Sequence, residues 1–226
     1  MEKMNIVFLL FPNLTQLDFT GPLQVLSRLP GAQVSLAAKT MEPVPTDAVL
    51  TLNPTHDFQS CPGADLLCVP GGFGIDDAMQ DEETIAFVRR QAEGARYVSS
   101  VCTGAFILGA AGLLQGKKAT THWAYHDELK RVGAEPVKAR VVRDGNLFTG
   151  GGVTAGIDFA FTLMAEIAGE EHARAIQLGL EYDPAPPFDA GVPDKASPGV
   201  LESQRERYAP RVAAFREALG CALKQS

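Results

Sequence analysis

Apolar and polar residues follow each other along the chain in a pattern typical of strands that alternate with helices. Short, largely apolar runs, of the kind that forms buried parallel strands, cover 5–11, 33–38, 65–69 and 97–101. Amphipathic or small-residue helical segments follow at about 22–29, at 81–93 and from residue 102 onward. This alternation predicts an α/β fold: a doubly wound, mostly parallel sheet with helices on both faces.

The second half of the chain is expected to complete this sheet and cover it. Hairpins are predicted at 44–52, at the sheet edge, and over 137–149, where Asp144-Gly145 is a common turn pair. Further helices are predicted at 155–168, at about 171–180 and at about 199–223, the last one started or kinked by Pro210. Its apolar face would contain Leu201, Tyr208, Val212, Phe215, Leu219 and Ala222. Without repeats or linkers, we expect one domain over 1–226, with a C-terminal arm and helix (about 182–226) packing on the domain or on a dimer partner.

The junction after strand 97–101 is the strongest candidate for chemistry. No turn residue separates this strand from the next helix, so Cys102 would occupy the strained bend called a nucleophile elbow. Its sulfur would lie over the first free N–H groups of the helix, whose partial positive charge favours thiolate. Gly104 would leave space beside the sulfur. The alternative is a buried cysteine that packs as a small hydrophobe.

Other polar and glycine residues also follow predicted strands. Asp18 comes after the first strand, Gly71 and Gly72 after 65–69, and the Gly150–Gly152 run after the second hairpin. The carboxyl ends of parallel strands meet at one edge of a sheet, where ligands bind, so we expect these residues to converge on Cys102. Structural roles are the alternative: Asp18 as a helix cap and the glycines as tight turns.

Composition and charge narrow the class of protein. The chain is 46 % hydrophobic and 21 % charged, as in ordinary soluble domains. Its net charge of −7 does not suggest a nucleic-acid partner. No apolar run reaches the roughly 18 to 20 residues that a membrane span needs, and no signal-peptide cleavage site is evident. We therefore expect a cytoplasmic protein that binds neither nucleic acid nor membrane.

A metal site is not predicted. His122 and His126 lie four apart on a predicted helix, but there is no Glu between them as in H-E-x-x-H and no third ligand. None of the four cysteines forms a C-x-x-C pair. We expect His122 to be hydrogen-bonded in a packed site and His126 to be exposed. The aromatic residues proposed to line an apolar cavity are Phe11, Phe73, Phe106, Trp123 and Phe188.

Five segments resemble the PfpI-like superfamily, whose members have the class I glutamine amidotransferase-like fold. The matching segments read FPNLTQLDFTGPL, VPGG, SVCTGA, ATTHW and TGGGVTAGID. They extend over nearly the whole chain. Within the superfamily the chain looks most like the isocyanide hydratases, and this likeness includes the segment LEYDPAPPF.

The resemblance implies an enzyme that hydrates an isocyanide to an N-substituted formamide, without metal or organic cofactor, and that forms a homodimer. Cys102 matches the family nucleophile, Asp18 the catalytic acidic residue and Thr103 the threonine beside the cysteine. Thiolate is a good nucleophile for the isocyanide carbon, and Asp18 would protonate that carbon and then activate water. The N–H groups of Thr103 and Gly72 would stabilise charge like an oxyanion hole, beside Gly71.

Two details of this site follow from elementary electrostatics and sterics. An ionised Asp18 would oppose thiolate formation at Cys102, so we expect Asp18 to be protonated at rest. The glycines at 150, 151 and 152 are expected to support the elbow. Val153, a β-branched residue after them, is expected to have a strained backbone.

Two other functions stay open at this point. Another PfpI-like enzyme, such as an amidase, glyoxalase or deglycase, would use the same cysteine, and substrate tests would distinguish it. A non-enzymatic redox sensor would oxidise Cys102 to sulfenic or sulfinic acid, and only turnover would distinguish it. The chain departs from the wider superfamily at Thr103, where protease-like members have His, and at Asp18, where many members have Glu; the first departure weakens a peptidase function.

Overall fold

The computed structural model of the protein describes residues 3–225, so Met1, Glu2 and Ser226 of the predicted domain lie outside it. The strands are β1 (Met4–Leu9), β2 (Ala32–Ala38), β3 (Val44–Pro45), β4 (Thr51–Leu52), β5 (His56–Asp57), β6 (Leu66–Val69), β7 (Tyr97–Val101), β8 (Lys118–Ala119), β9 (Glu135–Pro136), β10 (Val141–Asp144) and β11 (Leu147–Gly150). The α-helices are α1 (Gln16–Leu26), α2 (Ile75–Ala78), α3 (Glu82–Gly94), α4 (Ala105–Ala110), α5 (Ala155–Ala168), α6 (Glu170–Gly179) and α7 (Pro198–Gln225). Two 3-10 helices cover Cys102–Gly104 and Trp123–Val132.

Seven strands form the central sheet, in the order β10-β11-β7-β6-β1-β2-β5. Neighbouring strands are parallel except β10, which pairs antiparallel with β11. Helices α1, α5 and α6 pack together on one face, and α2, α3, α4 and α7 pack on the other. The predicted doubly wound, mostly parallel α/β fold is confirmed. None of the helices in residues 3–225 combines the length and apolar character that crossing a bilayer requires.

Several boundaries differ from those predicted, and one difference concerns the site. Helix α1 begins at Gln16, six residues before Pro22, so Asp18 lies in its first turn and not in a preceding loop. The hairpin at 44–52 forms, but β3 and β4 make a separate two-stranded ribbon, and β5 is the edge strand beside β2. The turn between β10 and β11 is Gly145-Asn146, one residue later than predicted, because Asp144 still pairs with Leu147.

Helix α7 belongs to the helical layer formed by α2, α3 and α4. It begins at Pro198 and continues through Pro210, which therefore does not start it. Its predicted apolar face is turned inward: Phe215 and Leu219 are fully buried, and Tyr208 is half-buried. It packs on α2, on α4 and on the 3-10 helix Trp123–Val132.

Candidate active site

Cys102 occupies the bend between β7 and the helices that follow. Its φ of +55° lies in the left-handed region, which is unfavourable for a residue with a side chain. The surrounding structure fixes this conformation through both backbone polar groups. The Cys102 N–H donates to the Gly151 carbonyl at 2.9 Å, and the Thr121 hydroxyl donates to the Cys102 carbonyl at 2.7 Å. The side chain is 6 % exposed, so the nucleophile candidate lies at the floor of the site.

Gly104 has a different role from the one predicted. The atoms nearest to a Cβ at this position would be the carbonyl oxygens of Val69 and Pro70, at 2.3 and 2.6 Å. Real Cβ atoms do not approach backbone this closely. The glycine therefore allows the elbow helix, which comprises the 3-10 turn Cys102–Gly104 and α4, to pack directly on the end of β6. It sets the position of the elbow against the sheet and does not act by clearing space at the sulfur.

Asp18 lies beside the sulfur, buried to 1 % exposure at the start of α1. Its Oδ2 accepts a hydrogen bond from the Gly71 N–H at 3.0 Å, and the Cys102 thiol interacts with the carboxyl. Among the described residues, Oδ1 has no hydrogen-bond partner of normal geometry. Burial raises the pKa of Asp18 to about 7, and the hydrogen bonds from Gly71 and Cys102 only partly offset this effect. A carboxyl beside Cys102 therefore exchanges a proton near neutral pH.

The Cys102 thiol is harder to ionise than the sequence suggested. Burial and the neighbouring Asp18 charge raise its pKa well above the ordinary value, and hydrogen bonds from the Thr103 and Val153 N–H groups lower it. The helix that follows Cys102 thus contributes one donor, Thr103, and the loop before α5 contributes the other, but burial outweighs both. Since thiol and carboxyl both resist ionisation, the pair keeps at least one proton at neutral pH.

The loop after β6 holds both polar partners of the cysteine. The Gly71 N–H binds Asp18, and the Gly72 N–H donates to the Thr103 hydroxyl at 3.0 Å. A Cβ on Gly71 would lie 2.5 Å from the Thr103 nitrogen and 2.9 Å from Asp18 Oδ2. Gly72 has a φ of +144° and equally close backbone neighbours, Leu14 and Thr15. The prediction that the Gly72 N–H stabilises substrate charge is therefore wrong, because this N–H already donates to the Thr103 hydroxyl. Beside the Thr103 N–H, the second donor at the Cys102 sulfur is the Val153 N–H.

The glycine run at the end of β11 contacts the elbow from the opposite side. Gly150 pairs with Val101 in the sheet, and the Gly151 carbonyl accepts the Cys102 N–H. A Cβ on Gly152 would lie 2.7 Å from the His122 ring. The predicted strain at Val153 is wrong: outside glycine, the described residues with positive φ are Asn13, Cys102 and Glu181.

The two histidines lie at the start of and within the 3-10 helix Trp123–Val132. Burial lowers the pKa of His122 to about 4, so its imidazole is neutral and adds no positive charge beside the thiolate. His126 was expected to be exposed but is buried, and its Nε2 has no hydrogen-bond partner among the described residues. Within residues 3–225, no group of three or more His, Cys, Asp or Glu side chains could hold a metal ion.

A cavity of about 680 Å³ lies beside the elbow, lined by Trp123, His122, 151–153 and the arm at 191–194. Of the other aromatic residues proposed to line it, Phe106 is fully buried in the core, whereas Phe73 and Phe188 are exposed. Phe11 lines a separate cavity of about 320 Å³. Tyr208 is predicted only to lie on an apolar helix face, but its ring lies 5.2 Å from that of His122, centroid to centroid.

These features define a class of protein: a doubly wound α/β domain with a cysteine elbow and a buried carboxyl at one edge of the sheet. The pattern described as "DJ-1/PfpI family" matches residues 4–166, and the chain belongs to that family.

Individual relatives extend this similarity beyond the matched region. The chain is 59 % identical over 207 residues to a Pseudomonas putida protein named isonitrile hydratase, covering 92 % of this chain and 91 % of the relative. The crystal structure of a THiJ/PfpI family protein from Pseudomonas syringae has a TM-score of 0.95 at 42 % identity, covering 97 % of this chain and 92 % of that one. Drosophila melanogaster DJ-1beta has a TM-score of 0.72 at 25 % identity, covering 80 % and 98 %.

Proposed function

We propose that this protein is an isocyanide hydratase, which adds water to an isocyanide to give an N-substituted formamide, with Cys102 as nucleophile and Asp18 as general acid and base. The observation that carries the proposal is the buried Asp18 carboxyl beside the Cys102 sulfur, with its pKa raised to about 7. Isocyanide hydration requires a proton to reach the carbon that the nucleophile attacks. A carboxyl that exchanges a proton at neutral pH beside the sulfur meets that requirement. The high identity to the Pseudomonas putida isonitrile hydratase supports the same reaction.

The pair reacts from the state that holds one proton: the Asp18 carboxylate takes the proton of the Cys102 thiol, which leaves the negative charge on the sulfur. Hydrogen bonds from the Thr103 and Val153 N–H groups stabilise that charge. The sulfur attacks the terminal carbon of the isocyanide and forms a C–S bond. Asp18 gives its proton to this carbon, which yields a thioimidate, Cys–S–CH=N–R, and a carboxylate.

Hydrolysis of the thioimidate returns the site to its starting state. The Asp18 carboxylate takes a proton from water as the hydroxyl adds to the carbon, and it passes that proton to the nitrogen. It then takes the hydroxyl proton as the C–S bond breaks, which releases R–NH–CHO and regenerates thiolate and acid. Every proton transfer uses one carboxyl, so no second base is needed.

The Thr103 hydroxyl has a positioning role in this proposal. It accepts a hydrogen bond from the Gly72 N–H. Because Thr103 directly follows Cys102, this bond ties the nucleophile to the loop that holds Asp18. Gly71 and Gly72 provide the close approach that this arrangement needs.

The first test measures formamide production from an aryl and an alkyl isocyanide by wild type, Cys102→Ala and Asp18→Asn, without added metal. Turnover by wild type and its loss in Cys102→Ala would support the reaction and the nucleophile. Cys61→Ala is a matched control, since Cys61 is also a free cysteine but lies outside the site. No turnover by folded, reduced wild type would refute the hydratase function. Assays for amidase, glyoxalase and deglycase activity, and mass spectrometry of oxidised Cys102, would then test the alternatives.

We also infer a homodimer in the cytoplasm that binds neither nucleic acid nor membrane. Exposed apolar side chains at and near the β3–β4 ribbon, namely Met41, Val49 and Leu50, support self-association. The net charge of −7 is unfavourable for binding nucleic acid. Light scattering coupled to size-exclusion chromatography should give twice the mass of one chain; the mass of a single chain would contradict the dimer.

A further inference from the structure

Helix α7 lies outside the region that the family pattern matches, which ends at residue 166, yet it reaches the candidate active site. The ring of Tyr208 lies 5.2 Å from that of His122 and 5.5 Å from that of Trp123, between centroids. The His122 ring in turn packs on Gly152, in the loop whose Gly151 carbonyl binds the Cys102 N–H. A continuous set of contacts therefore leads from α7 to the nucleophile.

The Tyr208 side chain has the properties of a group that faces a ligand. It is half-buried, and among the described residues its hydroxyl has no hydrogen-bond partner. Burial and, to a lesser extent, a charge on the Cys102 sulfur raise the pKa of Tyr208, so the two groups lie within electrostatic range. With Trp123 and the neutral His122, the ring presents an aromatic surface beside the elbow.

Arg211, one turn further along α7, connects the helix to the loop that holds Asp18. It donates to the Phe73 carbonyl, lies over the Phe73 ring at 5.3 Å, and pairs with Asp76 at 3.5 Å. It also lies near the Tyr125 hydroxyl: burial raises the pKa of Tyr125 to about 12, and the Arg211 charge partly offsets this rise. Phe73 directly follows Gly71 and Gly72, whose N–H groups bind Asp18 and Thr103. The contacts of Arg211 therefore hold this loop from its outer side.

We propose that α7 completes the active site: Tyr208 is a specificity-determining residue that contacts the substituent on the isocyanide nitrogen, and Arg211 is a positioning residue for the loop at 71–74. This inference rests on the proposed function. An aromatic surface of Tyr208, His122 and Trp123 favours flat, apolar substituents, so the substrate class is isocyanides with aryl or similar apolar groups. Small alkyl isocyanides would reach the sulfur without using this surface.

The test of Tyr208 compares kcat and KM for phenyl isocyanide and methyl isocyanide in wild type, Tyr208→Phe and Tyr208→Ala. Tyr208→Ala should raise KM for the aryl substrate about tenfold, because one aromatic contact is lost, with little effect on the methyl substrate. Tyr208→Phe keeps the ring and should keep the preference. Equal effects on both substrates, or none, would overturn the role of Tyr208.

The test of Arg211 uses a matched arginine on the same helix. Arg216 also anchors α7, through a 2.7 Å bond to the buried Glu128, but it contacts the 3-10 helix and not the loop at 71–74. Arg211→Gln should lower kcat and shift the pH profile of kcat/KM, because the loop that binds Asp18 loses its outer contacts. Arg211→Lys should restore part of the activity, and Arg216→Gln should leave kcat and the pH profile unchanged. Equal effects of Arg211→Gln and Arg216→Gln would assign Arg211 only a structural role.

A labelling experiment separates failure of this inference from failure of the proposed function. Alkylation of Cys102 by iodoacetamide and by its N-phenyl analogue, followed by peptide mass spectrometry, requires no turnover. Wild type should favour the aryl reagent, and Tyr208→Ala should lose that preference. If wild type hydrates no isocyanide but the labelling preference holds, the hydratase function fails and the contact role of Tyr208 stands. If hydration is normal and neither preference depends on Tyr208, only the inference fails.

Discussion

At the scale of single residues, the site depends on a proton shared between two buried acids. Asp18 and Cys102 are both removed from water, and burial raises the pKa of each. Their mutual repulsion disfavours the state in which both are ionised. The pair loses its first proton near pH 7 and its second well above the ordinary range for a thiol. Between these two steps it holds the single proton that the proposed reaction uses.

The pH dependence of turnover follows from this order. Below pH 7 the pair holds two protons, and no base is free to accept the thiol proton. We expect kcat/KM to rise with pH through a midpoint near 7 and to stay high into the alkaline range. Steady-state kinetics from pH 5 to pH 9 would measure this pH dependence of kcat/KM. A profile that is flat around neutral pH, or that falls there, would contradict the assigned roles.

The variant Asp18→Asn should make the cysteine more acidic and the enzyme less active. Loss of the Asp18 charge removes a cause of the raised Cys102 pKa, so the thiolate should form at lower pH. Turnover should nevertheless fall by about 100- to 10,000-fold, since the proton donor is gone. Thiolate absorbance during a pH titration, measured beside turnover, tests both effects. An unchanged thiol pKa would show that the two groups are not coupled.

Gly71 offers a steric test of the loop that holds these residues. In Gly71→Ala the new methyl group would meet the Thr103 nitrogen at 2.5 Å, so the loop or the elbow must move. We expect loss of most activity and a destabilisation of about 1–3 kcal/mol. Gly63→Ala is the control, because nothing lies within 4 Å of its Cβ position. Urea unfolding and turnover of both variants would measure the effect; full activity in Gly71→Ala would contradict the geometry.

The residues of this site are more predictable from the sequence than their contacts are. The apolar strand 97–101 and the helix directly after Cys102 indicated the elbow, which has the predicted bend at φ +55°. The raised thiol pKa could not be predicted, since it depends on how deeply tertiary packing buries the sulfur. The partner of the Gly72 N–H likewise depends on how closely a loop approaches a helical turn that lies 31 residues further along the chain.

At the scale of secondary structure elements, α7 provides packing that the family-matched region lacks. Phe215 is fully buried between Phe106 of the elbow helix and Tyr125, with ring centroids 4.6 and 5.0 Å away. The same helix places Tyr208 and Arg211 at the site. Packing of α7 and the geometry of the elbow are therefore linked through shared aromatic contacts.

Truncation of Phe215 should show this link. Phe215→Ala removes a fully buried ring and should destabilise the protein by about 3–5 kcal/mol. Turnover should also decrease, because the space left by the missing Phe215 ring lies directly against Phe106 of the elbow helix. Val200→Ala is the control on the same helix, since Val200 is half exposed. Chemical denaturation and kinetics of both variants would measure these effects; a loss below 1 kcal/mol for Phe215→Ala would contradict the packing.

Element types were more predictable than element boundaries. Helix α5 matches its predicted limits, because its apolar run follows three glycines and ends at Gly169. Helix α1 does not, because Pro22 is typical of a helix start but lies in the seventh position of this helix. The Pro22 ring packs against Gly156 of α5, so a tertiary contact accompanies the unusual place of this proline inside the helix. Such contacts between distant helices are absent from local sequence patterns.

At the scale of the whole molecule, the shared core predicts that the sheet and α7 unfold together. The sequence has a single tryptophan, Trp123, and it lies against Tyr208 of α7. Its fluorescence therefore reports on the docking of α7, whereas far-ultraviolet circular dichroism reports on all helices and strands. We expect the two signals to change at the same urea concentration, because α7 buries Phe215, Leu219 and Ala222 in the same core as the elbow helix.

The variant Glu128→Gln tests whether α7 and the sheet unfold as one unit. Glu128 is buried and pairs with Arg216 of α7 and with Arg131 of its own 3-10 helix, so its loss removes an ion pair that holds α7 without touching the sheet. If the chain is one cooperative domain, both signals should shift together to lower urea. An earlier fluorescence change with an unshifted circular dichroism transition would mean that α7 docks as a separate unit. In that case the aromatic surface at Tyr208 would be able to detach while the elbow stays folded, and substrate preference would be lost before the sheet unfolds.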